Sequence, residues 1–351
     1  MTSPATRRVD AGPAGDGTRP DAAPGADDSW RVAAAVCVVL VGVAVAASLV
    51  NDPAVSELLA SAVRAIGLLA ACGTVGTLVL AALSAGRPNT SRLPRRAASA
   101  WALIWCASSV ASIGLQLSLV RTRPSGLFDS DVAGAFGWSM RGLVATAWAA
   151  ALVAVLARAA RTRRDDRVLL VLALASLLPT ALTGHSTHSS APIVAVLSMV
   201  VHVVAVTVWF GGLLALAVHA DAQTRLDTVV IRRFSAVALV CFVAVAESGV
   251  VSALARLPFR ELVDAGAYAV LLCLKVALLG VVGVMGLLHR RRTLPRLAAG
   301  EPGSFWPLVA GELVVLAAVI GLGVALSTSA PPPAPDAPGG ELHAQQAFTT
   351  L

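Results

Sequence analysis

Three histidines gather around one apolar run of this chain. His185 and His188 precede it in GHSTHSSA, and His202 lies inside it, in APIVAVLSMVVHVVAVTVWFGGLLAL. An imidazole has two ring nitrogens that hydrocarbon cannot satisfy, so a histidine half-way along a bilayer-length helix is a candidate for function. On a helix, Met199, His202, Val206, Trp209 and Leu213 share one face, which sets a thioether and an imidazole one turn apart on the same side. Those donors suit copper, Cu(I) above all, and not Mg²⁺ or Ca²⁺, which take oxygen. A second arrangement fits the same spacing: Met199 packs in a bundle while His202 hydrogen-bonds a neighbouring helix.

His185 and His188 stand among Ser186, Thr187, Ser189 and Ser190. Histidines at i and i+3 could hold one ion from a single helical turn, or stay solvated on a polar loop. No HExxH motif and no further carboxylate accompanies them, so a zinc hydrolase has no support and the chain is read as a non-enzyme.

Charges also fall inside apolar runs: Arg64, Glu247, Lys275 and Glu312. Lys275 is the only lysine in the chain. Paired with Glu247 or Glu312 it would form either an ion pair that fixes helix register or part of a proton or ion relay. Arg141 sits near enough to the end of its run to snorkel to the surface. The Gly211-Gly212 pair would let two helices approach closely and reads as helix packing.

The elements that carry these residues follow from composition. Hydrophobic residues make up 57% of the chain and charged residues 13%, against about 25% charge in a soluble domain, and the mean hydropathy is +0.78. The fold class is therefore an all-α, polytopic transmembrane helical bundle, a multi-pass protein of the cytoplasmic membrane with membrane lipid around it. About nine runs approach the ~20 residues that a spanning helix needs: 31–50, 58–84, 97–120, 138–158, 168–184, 191–218, 234–255, 265–289 and 305–327. With the N-terminus inside, 20 arginines fall on the cytoplasmic side and 4 outside, which predicts an N-in, C-out topology. His185, His188 and the tail then face outward, while His219 and His289 mark the inner ends of their helices.

The net charge of +7 is carried mainly by these loop arginines, so it calls for no nucleic acid. Cys37, Cys72, Cys106, Cys241 and Cys273 all lie in apolar runs with no paired spacing and read as small buried hydrophobes. The chain divides into a disordered cytoplasmic segment at 1–30, a four-helix membrane region at 31–165, a second membrane domain at 166–329 and a Pro-rich extracytoplasmic tail at 330–351. The first segment is too long and acidic for a secretory leader, so the first apolar run is expected to stay as an anchor.

The segment from His202 through VVAVTVWFGGLLAL resembles the histidine, tryptophan and Gly-Gly signature of the CopD family of copper resistance and copper uptake membrane proteins. Arg233-Phe234, Gly249, LLCLK ending at Lys275, Glu312 and the prolines from Pro331 continue the likeness downstream, and Gly184-His185 precedes it. The resemblance is strongest over about 180–335 and makes 166–329 a CopD-like domain. It implies a bundle of about eight or nine helices that takes a copper ion from the extracytoplasmic side, often from a small CopC-type protein. A Met-rich capture segment is not seen: only Met140, Met199 and Met285 follow Met1.

The expected function is copper import, with His202 and Met199 as a buried way-station and His185 and His188 as the entry. Some relatives are joined to a CtaG-type oxidase assembly domain, which gives two alternatives: a membrane copper donor, or a scaffold for cytochrome oxidase assembly. A haem- or quinone-binding electron-transfer protein is a third, and its haem form needs a second deeply placed histidine on another helix.

Overall fold

A computed structural model describes residues 26–49, 55–84, 92–122, 130–179, 192–219, 228–254, 266–299 and 305–328. Their regular structure is all helical, so the all-α class expected from composition is the observed one. The helices are α1 (Ala26–Ser48), α2 (Val55–Leu83), α3 (Arg92–Thr122), α4 (Ser130–Ala159), α5 (Arg163–Ala175), α6 (Pro192–His219), α7 (Thr228–Leu254), α8 (Gly266–Leu288), α9 (Leu294–Ala298) and α10 (Phe305–Thr328). A π-helical turn, His289–Thr293, joins α8 to α9.

Among the described residues, 7 helices are long and apolar enough to cross a membrane: α2, α3, α4, α6, α7, α8 with its continuation to Arg296, and α10. The other two expected spans correspond to α1, whose apolar stretch covers Ala34–Ala46, and α5, a helix of 13 residues that ends in a turn at Ser176 and Leu177. Val155, Trp148, Ile193 and Val276 are exposed on the outside of the bundle. Apolar surface turned outward on this scale belongs against lipid, not water.

At the centre is α2, buried without a break from Leu69 to Leu80. It packs on α3, α6, α1 and α5, and α10 lies along α1, α8 and α6. A helix enclosed on all sides must be apolar or small all round, and α2 meets this with Ala, Gly, Leu and Val. Its two buried threonines return their hydroxyls to their own helix, Thr74 to the Ala70 carbonyl at 2.8 Å and Thr77 to the Gly73 carbonyl at 2.9 Å.

The crossing of α2 with α6 is made of glycine. A Cβ on Gly211 would overlap the Cys72 carbonyl, and one on Gly76 would overlap the Gly211 carbonyl. Its neighbour Gly212 faces α7 instead, where a Cβ would overlap the Phe234 ring. The Gly-Gly pair thus closes two contacts, one on each side of α6. All five cysteines are free thiols; Cys72 and Cys241 are buried.

The α3, α4 and α5 ends are clamped by a buried ion pair. Arg95 Nε and Nη2 reach the two Asp166 carboxylate oxygens at 2.6 and 2.9 Å, and Nη1 and Nη2 also donate to the Ala160 and Thr162 carbonyls. Thr162 caps α5 in a reciprocal box with Asp165. The Asp165 carboxylate accepts the Thr162 and Arg161 backbone N–H groups at 2.7 Å each. Those bonds hold it below the ordinary carboxylate range.

Candidate functional site

His202 stands about 15 Å from the N-terminal end of α6 at 1.5 Å per residue, half-buried against α7. The two helices run antiparallel, and their partners step along in register. Ser198 donates to the Ser248 carbonyl at 2.9 Å, His202 Nδ1 lies 3.0 Å from Ser248 Oγ, and Trp209 meets Phe242 edge-on with ring centroids 5.7 Å apart. At the far end Gly212 takes Phe234. The His202 ring also meets the Val245 backbone. Met199 is half-buried on the same helix, one turn before His202.

A third helix brings charge to this level. Lys275 on α8 lies close enough to His202 to act on it electrostatically. Its Nζ is 3.6 Å from the place a Cβ would take on Gly323 of α10, so α8, α10 and α6 share this layer of the bundle. The polar layer therefore comprises Ser198 and His202 on α6, Ser248 on α7 and Lys275 on α8.

Glu312 occupies a different layer. It is only 4% exposed, on α10, and its carboxyl lies near the Trp209 side chain. Trp209 follows His202 by two turns on the same face of α6, about 10 Å along the axis. Below His202, then, lies an indole and a carboxyl. Glu247, by contrast, is exposed on α7 beside Ser248. Of the four charges singled out in the sequence, Arg64 is half-buried on α2, Lys275 lies within electrostatic range of His202, Glu312 is buried near Trp209, and Glu247 is on the surface of the bundle.

His185 and His188 lie outside the described residues, as do residues 1–25 and 329–351. His219 ends α6 with its Nε2 buried and without a hydrogen-bond partner among the described residues, and His289 is buried in the π turn. Among the described residues no three His, Cys, Asp or Glu side chains converge as a metal cluster. A soft ion at His202 would draw on one imidazole and a thioether such as that of Met199, the low-coordinate donor set that Cu(I) accepts.

Sequence reasoning passed over Ser198 and Ser248. Each is a small hydroxyl in an apolar helix, and hydroxyls there commonly bond back to their own carbonyls. Nothing in the linear sequence marked these two as the ones that join α6 to α7 at the level of His202.

Two family models match the chain: copper resistance protein D over residues 228–326, and the copper resistance protein D-like N-terminal domain over residues 54–192. Together they cover more than half of it, with most of α6 between them. No curated protein and no solved structure matches the chain.

Proposed function

The chain belongs to the copper resistance protein D family, and from that membership we propose that it moves copper inward across the cytoplasmic membrane, as a transporter and not an enzyme. Copper is the cargo. In this reading His185 and His188 receive it at the extracytoplasmic face, from a CopC-type carrier, and His202 with Met199 holds it in mid-membrane. Trp209 and Glu312 line the next level, on the way to the cytoplasmic side.

The observation that carries the reading is the placement of His202, a half-buried imidazole deep in an apolar helix and supported by a hydroxyl of the neighbouring helix. Lys275 bears on the oxidation state. A cation at His202 is opposed by the nearby ammonium in proportion to its own charge, so Cu(I) is opposed half as strongly as Cu(II). The softer ion is also the one that imidazole and thioether hold better. The inward direction takes the 184–191 loop as the extracytoplasmic entry, a reading that the arginine bias of 20 to 4 supports.

Cellular copper accumulation tests it. His202→Gln keeps a hydrogen-bonding side chain of similar size and removes the imidazole, so membrane abundance should stay near that of the parent while accumulation falls several-fold. Met199→Leu preserves volume and loses only the sulfur, and should give a smaller fall. His185→Ala and His188→Ala should weaken uptake mainly at low copper, where capture limits the rate. Parental accumulation by His202→Gln at every copper concentration would remove the buried histidine from the path.

A further inference from the structure

We propose that Ser248, held in register by Ser198, fixes the tautomer of His202 and so presents Nε2, not Nδ1, to the metal. The inference rests on the way-station reading of His202 and adds to it which nitrogen is the ligand and what holds it ready.

A serine hydroxyl has one proton to give and two lone pairs to receive. In Ser248 that proton is directed into its own helix: Oγ lies 2.6 Å from the Ala244 carbonyl oxygen and 3.1 Å from that of Val245. Both are acceptors only, and the shorter distance is that of a strong back-bond to residue i−4. His202 Nδ1 stands 3.0 Å from the same Oγ. With the hydroxyl proton committed to Ala244, this contact is a hydrogen bond only if Nδ1 carries a proton and donates it. The contact that α7 offers to Nδ1 is thus an acceptor, the Ser248 hydroxyl oxygen. A neutral imidazole has a single N–H, so protonated Nδ1 leaves Nε2 with its lone pair in the ring plane, which is the form that ligates.

Orientation needs a second point of attachment, and Ser198 supplies it. It lies one turn before His202 on the same face of α6 and donates to the Ser248 carbonyl at 2.9 Å. Two bonds between the same turns of α6 and α7 fix both the sliding and the rotation of the helices at the level of the ring. Metal-bound histidines commonly donate their other N–H to an acceptor that sets ring orientation and raises ligand basicity. Ser248 fills that place here, and its own bond to Ala244 polarises the oxygen that receives the Nδ1 proton. Ser198 and Ser248 are positioning residues that touch the ligand or its helix and not the ion.

The tautomer is read by nitrogen NMR on metal-free protein in lipid nanodiscs, with histidine labelled in ¹⁵N. His202→Gln identifies the His202 signals by difference. The parent should show Nδ1 protonated and Nε2 bare, Ser248→Ala a mixture of the two tautomers, and Ser248→Thr the parental pattern, since threonine keeps the hydroxyl and the back-bond. Cu(I) affinity is then measured with Cu(I) held reduced and a chromogenic chelator as competitor. Ser248→Ala should bind roughly 10- to 100-fold more weakly, and Ser248→Thr within a few-fold of the parent. A protonated Nε2 in the parent, or parental Cu(I) affinity in Ser248→Ala alongside weakened binding in His202→Gln, overturns the role given to Ser248. Parental affinity in His202→Gln would overturn the way-station itself, a failure the tautomer signals keep separate.

Discussion

Arg95 shows what a charge must do to stay in this bundle. It is 5% exposed and its partner Asp166 is 3% exposed, and four hydrogen bonds fork from its guanidinium to the carboxylate and to two carbonyls at the α4–α5 junction. Removing one member of a buried pair strands the other, which costs about 3–5 kcal/mol. Arg95→Met should therefore lower thermal stability in detergent strongly, and the double change with Asp166→Leu should recover much of the loss; equal losses in the single and double variants would show that the pair is not the source. Asp165, beside it, gives a pH signature. Its carboxyl is held below the ordinary carboxylate range by the Thr162 and Arg161 N–H bonds, so the stabilisation is complete above that range and fades as pH falls through the folded value. Asp165→Ala should consequently lower the melting temperature at neutral pH, and the gap to the parent should close in acid.

At the scale of helices, the sequence conveyed lengths and apolar character far better than contacts. The runs around α2, α6, α7 and α10 stood out because continuous hydropathy over a bilayer-length helix needs no knowledge of neighbours. Within the run at 168–184, α5 is regular to Ala175, turns at Ser176 and Leu177 and is helical again at 178–179, while 180–184 lie outside the described residues; such a break is a local feature that hydropathy averaging smooths away. Gly211 and Gly212 were legible as a packing pair, but not their partners, because which backbone approaches which is decided by the crossing of helices distant in sequence. The contrast between glycines is testable. At Gly211 a Cβ meets the Cys72 backbone, which has no rotamer to yield, whereas at Gly280 nothing lies within 4 Å. Gly211→Ala should destabilise by about 1–3 kcal/mol or more through overpacking. Gly280→Ala should be neutral or gain up to about 1 kcal/mol, as alanine does over glycine inside a helix. Thermal unfolding of the two variants side by side decides it; similar effects of the same sign would mean that the α2–α6 approach is not as close as described.

At the scale of the whole molecule, the candidate site was half legible. His202 and Met199 declared themselves as polar and polarizable residues in hydrocarbon, but the layer around His202 gathers Ser248 from 46 residues away and Lys275 from the next helix, and no periodicity foretells which of several embedded charges meets which. In the proposed reading, which face receives copper depends on how this layered bundle sits in its membrane. If the arginine bias of 20 to 4 sets it, the residues after α8 are cytoplasmic and the 184–191 loop is not. Thr293 is buried in the π turn, whereas Arg291 is exposed, so the latter reports the cytoplasmic side. In a background with the five cysteines replaced by alanine or serine, Thr187→Cys should react with an impermeant thiol reagent on intact cells, and Arg291→Cys only after permeabilisation. Arg291 is one of the cytoplasmic charges, but its loss leaves the bias large, so the probe should not invert what it measures. The reverse labelling pattern would turn the molecule over: His185 and His188 would then face the cytoplasm, and the same imidazole way-station would serve export.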